Sequence, residues 1–349
     1  MHNRTEQFLN DPVFPLLVRM SAPNTIAFFI QAIVVLAEVW FISKLGTTSL
    51  AAVALAFPVI MLTQQMAFGA LGGAVTSSIA RSLGAEDKER AEKLLWHSLL
   101  LSCCGYLLFF LIFFIGGESL LMALGGEGSL LEESLLYIKI FLTGAIFIWL
   151  SGTLSAALRG IGNMRFPALL MIAGSGIQVI LAGGLILGWF GLPKLGIIGA
   201  PLSAISVAAL MAIVMIFKFM HSSSNVQLNL SNLSFKKELF RDIFNVALPA
   251  SLAPIFTVGT ILILTGLVGQ FGVSALAGYG IGSRIEFLMI PLVFGIGTAM
   301  TTMVGTNIGA KKVERAERIG WLGGSFAGLF SGMIGLILII SSSYWINFF

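Results

Sequence analysis

Nine stretches of this chain are long and apolar enough to cross a lipid bilayer, and that property decides most of what it can fold into. A hydrocarbon core of ~30 Å takes about 20 helical residues. The runs fall at 15–42, 48–80, 94–115, 134–157, 167–190, 195–219, 244–268, 273–308 and 319–348. In lipid, backbone polar groups must be satisfied within the protein, so these runs are read as helices. Only 10% of the 349 residues are charged against 57% hydrophobic, a balance that excludes a soluble enzyme or a DNA-binding domain. The two cysteines, Cys103 and Cys104, sit side by side in an apolar run and make neither a disulfide framework nor a metal site. His2, His97 and His221 lie at the terminus or at loop edges, so the spans hold no cluster for membrane-enzyme chemistry. No G-x-x-x-x-G-K-[ST] loop occurs, which argues against a bound nucleotide.

The charges give an orientation. With the N-terminus inside, the inward segments carry sixteen basic residues, from Arg4 and Arg19 through the Arg81–Lys93 loop to Lys311, Lys312, Arg315 and Arg318. The opposite side has only Lys44 and Lys194, beside the acids Glu118, Glu127, Glu132 and Glu133. The reverse topology would invert the positive-inside rule. The expectation is a multi-pass protein of the inner (plasma) membrane with a cytoplasmic N-terminus.

Self-comparison finds a repeat. The loop GAEDKERAEK (84–93) matches GAKKVERAER (309–318) at six of ten positions. Upstream, at an offset of 226, Pro23 pairs with Pro249, Gly46 with Gly272, Phe68 with Phe294 and Gly69 with Gly295. A one-residue slip brings the loops into register at 225. Six spans separate the copies, so both enter the membrane in the same sense and form a parallel repeat. The expected fold is all-α and integral to the membrane: a six-helix bundle over 1–220, a cytoplasmic linker over 221–243, and the first three helices of a second six-helix bundle over 244–349. On this reading the chain is a C-terminal truncation of a twelve-helix protein.

The segments LAEVWFISKLGTTSLAAVALAFPVIML (36–62), RSLGAEDKERA (81–91), ALRGIGNMRFPAL (157–169) and LGIIGAPLSA (195–204) resemble the multidrug and toxic compound extrusion (MATE) family of antiporters, in order and across essentially the whole chain. The resemblance implies two six-helix bundles around a cleft, alternating access, and export of organic, often cationic compounds against inward H⁺ or Na⁺. The partners it implies are small organic cations and the bilayer, with no nucleic acid and no nucleotide, for a chain acting as a monomer. The chain departs from the family pattern in two places. Glu38 and Ser43 stand where the first helix usually carries Asp and Gly, and Gln178 and Ala182 stand where one branch carries Asn and Asp.

Glu38 therefore becomes the main candidate. An ionisable residue at such depth costs ~2.5–3.5 kcal/mol on insertion scales and normally faces a polar interior. It can trade a proton and, when ionised, offers a site to Na⁺ or a cationic cargo. No other cofactor is expected. Asn24 and Gln31 precede it at seven-residue intervals, a spacing that drifts only ~20° per step and sets all three on one face. They either line a cavity or bond between helices. Gln178, Gln64 and Gln65 are further cavity candidates. Pro23 and Pro58, with Gly69, Gly72 and Gly73, are candidate bend points, and Arg284 in span eight is read as structural. The rival readings are a flippase for lipid-linked oligosaccharides and an inactive truncated transporter. The flippase would favour a strongly basic cleft, whereas the basic residues here are nearly all in loops.

Overall fold

The computed structural model describes residues 3–221, 226–229, 234–271 and 273–340, without the side chains at 3, 266, 269, 273–288, 338 and 339. A short helix α1 (Asn3–Asn10) precedes α2 (Val13–Ser43). Then α3 (Thr47–Gln64) runs through a π-helical segment, Gln65–Leu71, into α4 (Gly72–Gly84). The first half continues with α5 (Lys88–Ala123), α6 (Gly128–Gly160), α7 (Arg165–Leu187) and α8 (Gly199–His221). The second half supplies α9 (Lys237–Gly269), α10 (Val273–Gly309) and α11 (Val313–Ile340). Counting α3–α4 as one, nine helices among the described residues are long and apolar enough to span, and no strand occurs among those residues.

Local chemistry sets several boundaries. Asp87 accepts the Arg90 N–H at 2.8 Å and caps α5. In the turn before α7, Asn163 accepts the Phe166 N–H at 3.2 Å. The residues read as a linker are helical from Lys237, because Leu239 and Ile243 find buried places against the first half. The linker itself is docked on α5, where Glu92 accepts the Gln227 N–H at 3.2 Å and His97 Nε2 accepts that of Lys236 at 2.9 Å. Pro23 and Pro58 sit inside unbroken α2 and α3. The irregularity in the second span comes later, at Gln65–Leu71, and ends at Gly72. Such π segments are rare in helices.

The sequence repeat is a structural repeat. In the first copy Glu86 has φ 60° and the Asp87 N–H bonds to Ser82 O at 2.9 Å. In the second Lys311 has φ 61° and the Lys312 N–H bonds to Asn307 O at 2.8 Å. A left-handed residue that is not glycine is uncommon, so its recurrence at an offset of 225 marks the same helix-ending turn used twice.

These turns end the two helices at which the halves meet. A Cβ on Gly84 would collide with the Thr306 carbonyl, and one on Gly309 would collide with the carbonyl of Arg81. Arg81 and Thr306 are themselves repeat equivalents, so each copy places its glycine on the same backbone group of the other. The contact is reciprocal, like that across a two-fold axis. Gly305 extends it: a Cβ there would lie 2.9 Å from Cβ of Ala80, its repeat equivalent. Beside this crossing Arg81 and Arg90 both bond Asp242 of α9, at 2.7 and 3.1 Å.

Within the first half α6 is central, packed by α3, α4, α5 and α8, while α2 lies on α7 and α7 on α8. A second apolar cluster lies between the halves and joins Phe8, Val13, Leu16, Leu17, Met20 and Met164 to Ile296, Ala299, Met303 and Ile319.

The glycine crossing is testable by side-chain addition. Gly84→Val and Gly309→Val each force a branched side chain into opposing backbone, an overpacking worth roughly 1–3 kcal/mol. Both lower the melting temperature of the detergent-purified protein, whereas Gly73→Ala, which meets open space, leaves it unchanged. Equal melting points for all three would show that α4 and α10 do not approach in this way.

Candidate functional site

Gln31 of α2 finds its partners within the first half. Its Oε1 accepts the Ser175 hydroxyl of α7 at 3.0 Å, and its Nε2 reaches Gln178 Oε1 at 3.5 Å. Gln178, 7% exposed, donates in turn through Nε2 to Glu38 Oε1 at 2.9 Å. Ser203 of α8 stands 3.4 Å from the same oxygen but is 2.8 Å from Ala200 O. A hydroxyl has one proton to give, so the shorter bond holds it and Ser203 is a reserve donor. Three helices thus converge on one carboxyl.

The direction of this relay follows from its acid. An ionised carboxylate only accepts, so Gln178 must turn its NH₂ toward Glu38 and its carbonyl toward Gln31. Gln31 must then show its carbonyl to Ser175, which donates. Protonating Glu38 makes it a donor and lets the two amides reverse, with Ser175 accepting at the far end. The network can therefore adapt to either state of the acid. Neutral donors hold the ionised state, and a hydrogen bond to a charged group contributes roughly 1.5–3 kcal/mol. Among the described residues no cation forms an ion pair with Glu38, and Oε2 receives no hydrogen bond.

The other candidates fall elsewhere. Asn24, 1% exposed, stands between the halves, where its Nδ2 lies 3.2 Å from both Met164 Sδ and Thr298 Oγ1 of α10. It is fourteen residues from Glu38, about 21 Å of helix, and takes no part in the relay. Gln64 is exposed and Gln65 half-buried at the start of the π segment, which packs against α9. Neither side chain makes a hydrogen bond among the described residues. Pro23 lies one residue before Asn24 in the same contact region. Pro58 lies about two turns before the π segment, in α3, and Arg284 falls outside the described side chains.

Ser175 and Ser203 were not singled out from sequence. Small hydroxyls in apolar helices look like packing residues, and their spacing from Glu38 exists only in space. Arg159 was counted with the loop cations, yet the end of α6 carries it to 4% exposure, with Nε unbonded and its carbonyl accepting from Thr302 Oγ1 at 3.0 Å. It forms no ion pair among the described residues.

A family model for MatE matches residues 23–182 and 249–349. The chain is 27% identical over 323 residues to a FAD transporter of Shewanella oneidensis, across 89% of this chain and 68% of the relative. It is 27% identical over 307 residues to the multidrug export protein MepA of Staphylococcus aureus, across 87% of this chain and 67% of that protein. Among solved structures it is similar to an outward-facing multidrug resistance transporter of the MATE family within the MOP superfamily. The TM-score is 0.88 and the identity 27%, over 98% of this chain and 75% of the other.

An apolar carbodiimide tests the site directly, because it reacts with protonated carboxyl groups shielded from water. Labelling is expected at Glu38, to be lost in Glu38→Gln, and to fall as pH rises and the acid ionises. Peptide mapping checks the position, and a modified acid elsewhere that survives Glu38→Gln would reject the assignment.

Proposed function

Because the chain belongs to the MatE family, whose members are membrane transporters and not enzymes, we propose that it is a secondary antiporter that exports organic cations in exchange for H⁺ or Na⁺ by alternating access, with Glu38 as the group at which ion and cargo compete. The observation that carries this reading is the setting of Glu38: a carboxyl held by the neutral Gln178 amide with Ser203 nearby, and, among the described residues, without a counter-cation and with one oxygen free. A carboxylate locked to Arg or Lys would hold neither ion reversibly. One placed among neutral amides loads a proton or Na⁺ when cargo is absent and releases it when a positive cargo arrives. Its repeat equivalent is Leu264, 41% exposed, so the acid is not a requirement of the bundle. Support for a drug-like cargo comes from similarity to MepA.

In this reading residues 1–220 form one rocking body, 244–349 belong to the other, and 221–243 joins them. The protein sits in the plasma membrane with its N-terminus cytoplasmic, as the charge distribution requires, and works as a monomer. Gln31 and Gln178 tune the acid through the relay, Asn24 secures the contact between halves, and Gln64 and Gln65 are cavity residues on the span that packs against α9.

A second reading is export of an anionic compound, favoured by the buried Arg159, which has no ion pair among the described residues, and by the similarity to a FAD transporter. The deep acid at Glu38 argues against it. The sugar-lipid flippase reading stands lower again, since it needs several cations together.

Reconstitution in proteoliposomes tests the scheme. An imposed proton or Na⁺ gradient drives ethidium efflux in the unmodified chain. Glu38→Gln reduces that flux to the level of empty liposomes, while Glu38→Asp retains part of it. Undiminished gradient-driven flux in Glu38→Gln would reject the exchange mechanism. Acceleration by FAD, with no response to ethidium, would favour the anionic reading.

A further inference from the structure

The short helix α1 is not a spanning element, yet it is bonded to both halves. A helix leaves its last carbonyls without internal partners, and those of α1 and the turn after it are taken by side chains of the second half. Phe8 O accepts from Asn307 Nδ2 at 3.1 Å and from Arg315 Nε at 3.2 Å. Leu9 O and Asn10 Oδ1 accept from Lys312 Nζ, both at 3.2 Å, and Asp11 O accepts from the Arg315 guanidinium. Two cations thus meet the negative end of the α1 dipole, the favourable arrangement. The opposite anchor is apolar. The Phe8 ring, 4% exposed, lies on Gly162 in the turn between α6 and α7 of the first half. That glycine has φ +84°, and a Cβ there would stand 2.6 Å from the ring, so no other residue gives the ring this seat.

These contacts lie at the end of the molecule where α4 crosses α10. Asn307 is adjacent to Thr306, whose carbonyl meets Gly84, and Phe8 belongs to the apolar cluster between the halves. Any motion that parts α4 from α10 at this end must either lift Phe8 from Gly162 or break the bonds from Asn307, Lys312 and Arg315. We infer that α1 is a clasp that holds the N-terminal face of the protein shut, so that releasing it shifts the population toward opening on that face. The inference rests on the proposed alternating access and on the cytoplasmic placement of the N-terminus. The chemistry of the clasp is separate from the ion site, because none of its residues belongs to the Glu38 relay.

The test uses the full chain with the exposed Cys103 and Cys104 changed to Ser and a reporter made by Thr306→Cys, a near-isosteric change at a site 2% exposed. A membrane-impermeant maleimide is applied separately to inside-out and right-side-out vesicles. The reporter is expected to react slowly in the parent. Phe8→Ala or Arg315→Gln should speed the reaction roughly ten-fold, as expected for a shifted two-state population, and only in inside-out vesicles. Lys311→Gln, an exposed cation of the same turn that does not touch α1, should leave the rate unchanged. An unaltered rate in both clasp variants overturns the clasp. Acceleration accompanied by loss of the thermal unfolding transition also overturns it, because unfolding then exposes the reporter. Acceleration only in right-side-out vesicles keeps the clasp and overturns the orientation alone. Gradient-driven flux measured on the same variants shows separately whether the antiport reading stands.

Discussion

The two halves of this protein touch through their backbones. Lipid gives no hydrophobic drive for helix association, since its tails are as apolar as leucine, so close packing of small residues has to supply the attraction. Gly84 and Gly309 let α4 and α10 approach until each helix lies on a carbonyl of the other, and Gly305 with Ala80 extends the seam. A seam made in this way has few interlocking side chains to withdraw. It is therefore suited to a contact that opens and closes, provided other groups set how firmly it stays closed. The ion pairs of Arg81 and Arg90 with Asp242, and the contacts of α1, are such groups at the same end.

The repeat makes the frame nearly symmetric, and the chemistry is where symmetry is abandoned. Turn geometry, the glycine seam and the pairing of spans recur at an offset of 225 or 226. Glu38 does not: Leu264 occupies its equivalent position. The Asp242 bridge is likewise one-sided, with Leu16 at the equivalent place in the first copy. The near-symmetric frame is thus shared by both halves, whereas the acid belongs to the first half alone at this pair of equivalent positions. Placing the acid among Gln178, Gln31 and Ser175, groups able to donate or accept, lets both of its protonation states be satisfied without moving the helices apart.

Much of the fold was legible because lipid writes strong signals. Span length, the excess of Lys and Arg on one side, and a charged loop repeated inside apolar sequence each have a direct physical cause, and the helices found lie within a few residues of the runs for most spans. The differences have causes too. The seventh span begins at Lys237 because Leu239 and Ile243 turn a charged segment into an amphipathic helix end. The break in the second span falls at Gln65–Leu71, where α9 packs against it, and not at Pro58. Glu38 and Gln178 could be found from sequence because a polar residue in an oily helix is costly, but their pairing could not. Ser175, Gln178 and Ser203 sit more than a hundred residues away, and only the packing of α2, α7 and α8 brings them together. The seven-residue stripe read as one face is real as geometry but divides in its contacts, because Asn24 bridges the two halves while Gln31 and Glu38 bond within their own.

That division gives α2 a particular mechanical place. Its inner part, Val13 to Phe28, is seated on the second half through Met20, Asn24 and the ring contact of Phe28 with Phe294 at 6.0 Å. Its outer part is bonded to α7 and α8 through Gln31 and Glu38, and Phe41 packs on Trp189 at 5.4 Å. A continuous helix cannot follow two separating bodies at once without bending, turning or releasing one set of contacts. The outer set is the one that holds the acid, and the inner set is the one that lies in the seam. A change at Glu38 thus has a covalent, helical path to the contacts between the halves. No chain of loosely packed side chains is required to carry it, because the element that holds the acid is also an element of the interface.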